Sequence, residues 1–207
     1  MPYSNRWNRF IYACWSPFYD FLIGLPPFQK ARSRLWQSVA VNDGQRLLLV
    51  GVGTGEDFRH LPDRAVVLGI DLSLPMLAVA ARKKTQLQFE VTLVQADAQL
   101  LPVTDNSIDV VVMTLILSVV PDPHGCLREA VRVVRPEGRI LILDKFADSG
   151  QSTTPVRRLL NLITRPFGTD INRRLDDIRT GLPVRIIEDI PAAFGNAYRN
   201  IVLQRDP

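Results

Sequence analysis

The chain has 207 residues, 46% of them hydrophobic and 22% charged, an ordinary soluble composition that can bury a sizeable core and is expected to form one domain. Its richest apolar stretch, Ile108 to Val120, contains Asp109 and falls short of the ~20 apolar residues that cross a bilayer, so no spanning segment is expected. The net charge of +4 and pI near 9.4 leave anionic lipid, nucleic acid or a plain solvated face open as explanations of the arginines.

In chain order, Trp7, Phe10, Ile11, Cys14, Trp15, Phe18, Phe21 and Leu22 recur at helical spacing, interrupted by Pro17 and predicted to end at Gly24 and Pro26-Pro27. This aromatic-faced stretch lies within residues 1–45, read as an N-terminal helical cap. Cys14 and Cys126 stand in no metal or redox spacing. With nothing that resembles a cleavable signal peptide, a reducing cytoplasm is expected, without disulfides or a metal site.

From Arg46 onward, short apolar runs alternate with helical patterns, the signature of a parallel sheet built from β-α-β units. The predicted strands are Arg46 to Gly51, Val66 to Asp71, Phe89 to Gln95, Ile108 to Leu115, Arg139 to Phe146, Val184 to Ile190 and Tyr198 to Gln204. The clearest helices are Pro75 to Lys84 and His124 to Val134, the second closing at R-P-E-G, where Pro136 and Gly138 predict a turn. Between the fifth and sixth strands, Val156, Leu159, Leu160 and Ile163 form one helical stripe and Arg157, Arg158 and Arg165 point elsewhere. A basic amphipathic insertion is therefore predicted at about 151–182, within a sheet core of 46–207.

Residues 47 to 57 read L-L-L-V-G-V-G-T-G-E-D, a buried strand running into glycines that let a ligand approach the backbone. The dinucleotide fingerprint would need a third glycine where Glu56 stands. Glu56 and Asp57 would repel a pyrophosphate and attract an ammonium or sulfonium, unless they serve only the helix dipole. In open parallel sheets, ligands bind at the carboxyl ends of the strands. Asp71 closes the second strand, where its carboxylate could accept both hydroxyls of a ribose. Asp97 and Ala98 follow the third, where Asp97 could accept from the exocyclic amine of a base.

On these residues the chain from about Trp15 to Gln204 resembles a class I S-adenosylmethionine-dependent methyltransferase. The resemblance implies a Rossmann-like, doubly wound α/β fold with a seven-stranded sheet, mostly parallel with an antiparallel last strand. The stretches W-S-P-F-Y-D-F-L-I-G-L-P, V-G-V-G-T-G, G-I-D-L-S-L-P-M-L, L-S-V-V-P-D-P and R-V-V-R-P-E-G-R-I are similar to soluble bacterial phosphatidylethanolamine N-methyltransferases, and quinone-ring C-methyltransferases share much of the pattern. The implied cofactor is S-adenosylmethionine, released as S-adenosylhomocysteine. Gly51, Gly53 and Gly55 would pass under its methionine part, Asp71 would hold its ribose, Leu72 and Met76 would flank the adenine, and Asp97 would bind the adenine amine. Tyr19 and Asp20 would close over the cofactor and face the acceptor. The sequence departs from the family at Leu49, where an acid usually serves the cofactor ammonium and for which Glu56 or Asp57 could substitute. It departs again at Glu137, where the usual turn is P-G-G, and at Asp144-Lys145-Phe146, where related lipid enzymes often carry histidine.

Three functions are compatible with this reading. The first is methylation of a phospholipid headgroup amine at the inner membrane face, with an anionic membrane surface as partner. There Tyr19, Asp20 or His124 would take the proton, and Arg157, Arg158, Arg165, Arg173 and Arg174 would bind the lipid phosphate. The second is methylation of a quinone ring or other small molecule, and the third is a silent nucleoside-binding module. Nucleic acid is not the expected acceptor, because the chain has no N/D-P-P-Y motif, no catalytic Pro-Cys dipeptide and no basic tail.

Overall fold

The computed structural model describes residues 23–42, 44–147 and 172–207. Its elements in chain order are α1 (Pro26–Gln37), β1 (Arg46–Val50), a 3-10 turn (Glu56–His60), β2 (Val66–Asp71), α2 (Leu74–Lys84), β3 (Val91–Gln95), β4 (Ile108–Thr114), α3 (Pro123–Val133), β5 (Val134–Lys145), α4 (Leu175–Arg179), β6 (Val184–Ala193) and β7 (Tyr198–Arg205). The strands form one seven-stranded sheet in the order β3-β2-β1-β4-β5-β7-β6. β1 pairs in parallel with β2 and β4, whereas β7 runs antiparallel to both β5 and β6. The strand order reverses between β1 and β4, which places the switch point over the glycine-rich loop. This is a Rossmann-like, doubly wound seven-stranded sheet, mostly parallel with an antiparallel last strand, as expected.

Strand periodicity explains why the central strands are apolar at nearly every position. Leu48, Val50, Val111, Met113, Ile140 and Ile142 face one side and pack with Cys126, Leu127, Ala130 and Val131 of α3 and with Leu175 and Ile178 of α4. Their neighbours Leu47, Leu49, Val110, Val112, Leu141 and Leu143 face the other side, against Ala31, Leu35 and Trp36 of α1 and Leu77 and Ala80 of α2. Helices cover both faces.

The helix ends depart from the sequence reading in instructive ways. Ile23 is helical and gives way to a turn at Gly24, and Pro26-Pro27 then begins the next helix, because proline at the first helical positions gives up only an amide that has no partner there. Asp122 of P-D-P caps α3, its Oδ1 accepting from the Gly125 amide at 2.9 Å, so the helix starts at Pro123 and stops at Val133. The R-P-E-G segment makes its turn inside β5, where Ile108 pairs with Val134 but Val110 pairs with Arg139. Glu137, in that excursion, sits at φ 62°, the left-handed region.

Candidate active site

The loop after β1 is built on three left-handed glycines, Gly51 at φ 71°, Gly53 at 55° and Gly55 at 81°, a conformation that side chains resist. Their surroundings differ. A methyl on Gly51 would meet the Ile116 side chain at 2.8 Å and one on Gly55 the Phe58 ring at 2.5 Å, so these two are closed in by the protein itself. Among the described residues, a methyl on Gly53 would find nothing nearer than the Gly51 carbonyl at 3.9 Å. Gly53 therefore presents bare backbone that no described side chain covers.

Asp71, at the end of β2, organises this loop. Its Oδ2 accepts from the Gly53 amide at 2.8 Å and its Oδ1 from the Ser73 amide at 2.8 Å. Burial pushes its pKa above the usual carboxylate value, opposed by the hydrogen bonds from the amides of Ser73, Gly53 and Leu72. The residue is still partly exposed, and a carboxylate oxygen that accepts one amide keeps acceptor capacity for a second donor. Two adjacent hydroxyls could be received there.

The neighbouring tips are tied to it. Gln95, closing β3, donates to the Leu72 carbonyl at 3.0 Å. The partly exposed Asp97 accepts from the Gln99 amide at 2.9 Å and from the Gln99 side chain, whose Oε1 in turn accepts from the Asp122 amide at 2.8 Å. Met76 and Ala98 are buried and Leu72 is partly exposed. The structure thus brings Gly51, Gly53, Gly55, Asp71, Leu72, Asp97 and Ala98 to adjacent strand ends of one sheet, with Met76 on the helix that follows β2.

Glu56 and Asp57 play another part than the sequence left open for them. Both are buried. Glu56 is held by Lys83 at 2.5 Å, Arg59 at 2.8 Å and Gln29 at 3.1 Å, and Asp57 accepts from the Trp36 indole at 3.1 Å and lies 3.5 Å from Arg32. These carboxylates are neutralised by the protein's own cations and lock α1 and α2 onto the loop. Leu49 is packed in the apolar layer on the same side, so neither it nor its proposed substitutes offers an unpaired acid to a ligand ammonium.

On the other side of the switch point, His124 lies in the first turn of α3 and its Nδ1 is 2.9 Å from the Ile178 carbonyl. A carbonyl oxygen only accepts, so Nδ1 carries the proton and Nε2 holds the lone pair of the neutral ring. Arg173 donates to the Leu117 carbonyl, and Arg174 is partly buried beside it in sequence. Tyr19, Asp20, Arg157, Arg158 and Arg165 lie outside the described residues.

The end of β5 contributes more than its sequence announced. Asp144 is fully buried and accepts from the Ser118 amide at 3.0 Å and from the Lys145 amide at 2.8 Å, which fixes the segment after β4. Burial raises its pKa, with Lys145 opposing. The Lys145 ammonium stands 5.8 Å from the Tyr198 ring centre, and burial holds its pKa below the usual lysine value. The tripeptide drew notice in the sequence, but its partners Ser118 and Tyr198 carry no local signal. Among the described residues no cluster of three or more His, Cys, Asp or Glu could hold a metal, and no helix is long and apolar enough to cross a membrane.

Residues 48–142 match the model of a methyltransferase domain. The chain is also 31% identical over 196 residues to a phosphatidylethanolamine N-methyltransferase of Cereibacter sphaeroides, covering 94% of this chain and 95% of that one. The chain belongs to the class I S-adenosylmethionine-dependent methyltransferases. S-adenosylmethionine is accordingly its cofactor, and the open face of Gly53 and the spare acceptor capacity of Asp71 fit such a group. A demethylmenaquinone methyltransferase of Staphylococcus saprophyticus is 36% identical over 146 residues, covering 67% of this chain and 60% of its own length. A ubiquinone/menaquinone biosynthesis C-methyltransferase of Syntrophotalea carbinolica is 30% identical over 188 residues, covering 86% and 76%. Among solved structures, an S-adenosylmethionine-dependent methyltransferase of Thermotoga maritima, described as a possible histamine N-methyltransferase, superposes with a TM-score of 0.71 at 15% identity over 97% of this chain and 100% of that one. Geranyl diphosphate methyltransferase in complex with S-adenosylmethionine gives 0.70 at 15% identity over 86% and 85%. At these identities the likeness concerns the fold.

Proposed function

We propose that this methyltransferase transfers methyl groups to the headgroup amine of phosphatidylethanolamine and its methylated intermediates, working peripherally at a membrane surface. The observation that carries the reading is the end-to-end match to a phosphatidylethanolamine N-methyltransferase, which leaves almost none of either chain unaccounted for.

The cofactor supplies an electrophilic methyl group on a sulfonium. The chain's work is to hold it, align an acceptor with it and exclude water. In this reading Gly51, Gly53 and Gly55 carry its methionine part, Asp71 receives the ribose hydroxyls, Leu72 and Met76 border the adenine, and Asp97 with Ala98 meets its edge. An alkylammonium has a pKa near 10.4 and is almost wholly protonated at neutral pH, so an N-methyltransferase must accept a proton from the amine. Tyr19, Asp20 and His124 are the candidates, and the committed Nδ1 of His124 leaves Nε2 as its only accepting atom. Arg157, Arg158, Arg165, Arg173 and Arg174 supply positive charge for the lipid phosphate. A phospholipid leaves the bilayer at a cost of roughly 0.8 kcal/mol per methylene, so the acceptor is taken at the surface.

A second reading, C-methylation of a quinone ring, draws on the higher local identity to the demethylmenaquinone enzyme. One experiment decides between them. The purified chain is incubated with labelled S-adenosylmethionine and either phosphatidylethanolamine vesicles or a demethylmenaquinol, and products are identified by mass spectrometry. Label in methylated phosphatidylethanolamine is the expected result; label confined to the quinol overturns the proposal.

A further inference from the structure

The turn between β6 and β7 holds a side chain that its backbone does not favour. Phe194 has φ 51° and is 59% exposed. A bulky residue in the left-handed region is a genuine outlier, and asparagine or glycine would occupy the place at lower cost. The next residue, Gly195, is left-handed as well, at φ 68°.

The location of this strained aromatic follows from the register. β7 is antiparallel to both its neighbours, so β6 ends at the same edge as β1 to β5. Tyr198 pairs with Ala193 on one side and with Lys145, the last residue of β5, on the other. Phe194 therefore stands at the carboxyl edge, the edge that carries the candidate site. It is braced there by Phe28 of α1, ring centres 5.5 Å apart, and by Tyr198 at 5.9 Å, while Phe28 and Tyr198 meet edge to face at 5.0 Å. Lys145 stands over Tyr198. It also interacts with the buried Asp144 carboxylate.

The same strand exposes Ile187 and Ile190, but another polypeptide is a poor fit for its edge. Pro191 has no amide hydrogen, and register shifts between Ile186 and Glu188 and between Pro191 and Ala193 break the ladder a partner strand would extend. An aromatic tip beside positive charge instead suits an anionic lipid interface. We propose that the β6–β7 turn is a membrane-contact element, in which Phe194 enters the headgroup region of an anionic phospholipid bilayer while Lys145, behind Tyr198, supplies positive charge at the same edge, holding the carboxyl edge to the surface. The choice of a bilayer as occupant rests on the acceptor proposed above.

Sedimentation of the full chain with phosphatidylcholine vesicles, with and without phosphatidylglycerol, tests this. Phe194→Asn suits the left-handed backbone, so it should melt no lower than the parent and bind S-adenosylmethionine equally well, yet partition at least fivefold more weakly onto the anionic vesicles. Phe194→Trp should add emission that shifts to the blue when those vesicles are present. Parent-like sedimentation of Phe194→Asn, or added emission indifferent to vesicles, overturns the inference. Lipid methylation accompanied by either result would sink the inference alone. Methylation of the quinol with weakened vesicle binding by Phe194→Asn would sink the acceptor reading alone.

Discussion

Asp71 and Gly53, 18 residues apart, are joined by a 2.8 Å hydrogen bond from the glycine amide to the carboxylate Oδ2. The bond links the end of β2 to the glycine of the loop whose outer face no described residue closes. One residue thus shapes the loop and, in the proposed site, receives the ribose.

Asp71→Ala is predicted to weaken S-adenosylmethionine binding by about 1.5 to 3 kcal/mol through lost charged hydrogen bonds, roughly ten- to hundredfold. Isothermal titration checks this, and unchanged affinity would remove Asp71 from the site.

The pH dependence of binding follows from the raised pKa of Asp71. Protonation begins at a higher pH than for an exposed aspartate of about 3.9. Cofactor affinity should therefore fall on acidification in the parent and be nearly flat over the same range in Asp71→Asn. For stability the sign is opposite to that of a salt-bridged acid: the contribution is fully present below the unfolded pKa and is lost as pH rises through the raised folded one.

Gly53 and Gly55 separate ligand contact from loop packing. Gly53→Ala should cost about 1 kcal/mol of stability for its left-handed backbone and weaken cofactor binding more than tenfold, because its methyl group occupies the open face. Gly55→Ala adds a clash with the Phe58 ring and should cost about 2 to 4 kcal/mol. Denaturant melts with cofactor titrations on both variants distinguish these outcomes.

Glu137→Gly should stabilise the protein by up to about 1 kcal/mol, raising Tm by roughly 2 to 4 °C, since it relieves a φ of 62°. The gain is offset in part by loss of the 2.6 Å hydrogen bond from Gln204 to the glutamate carboxylate, which is exposed and therefore weak. A fall in Tm would refute the strain.

Tyr198 provides a spectroscopic handle. Burial, aided by Asp144, pushes its phenol up to about 12, against about 10 for an ordinary tyrosine. One of the chain's four tyrosines should ionise late in an alkaline absorbance titration, and Tyr198→Phe should abolish that step. Its contribution to stability is complete below the unfolded pKa and disappears as pH rises through about 12.

Much of this molecule is legible in its sequence because the relevant forces act locally. Short apolar runs mark the central strands, glycines mark the left-handed loop, and aspartates fall at the ends of β2 and β3, since backbone sterics and strand geometry operate within a few residues. Pro26-Pro27 shows the limit: the same dipeptide can stop one helix or start the next, and only packing against the sheet selects the start. Apart from Arg59, the partners of Glu56 and Asp57 likewise lie far off in the chain, at Lys83, Gln29, Arg32 and Trp36, so their sequence reads as a lure for a cation although the fold has already supplied one. Phe194 is an ordinary residue in a list of letters. The antiparallel entry of β7 carries its turn to the carboxyl edge and sets it against Phe28. Such pairings depend on how distant strands order themselves in the sheet, and no local pattern encodes that order.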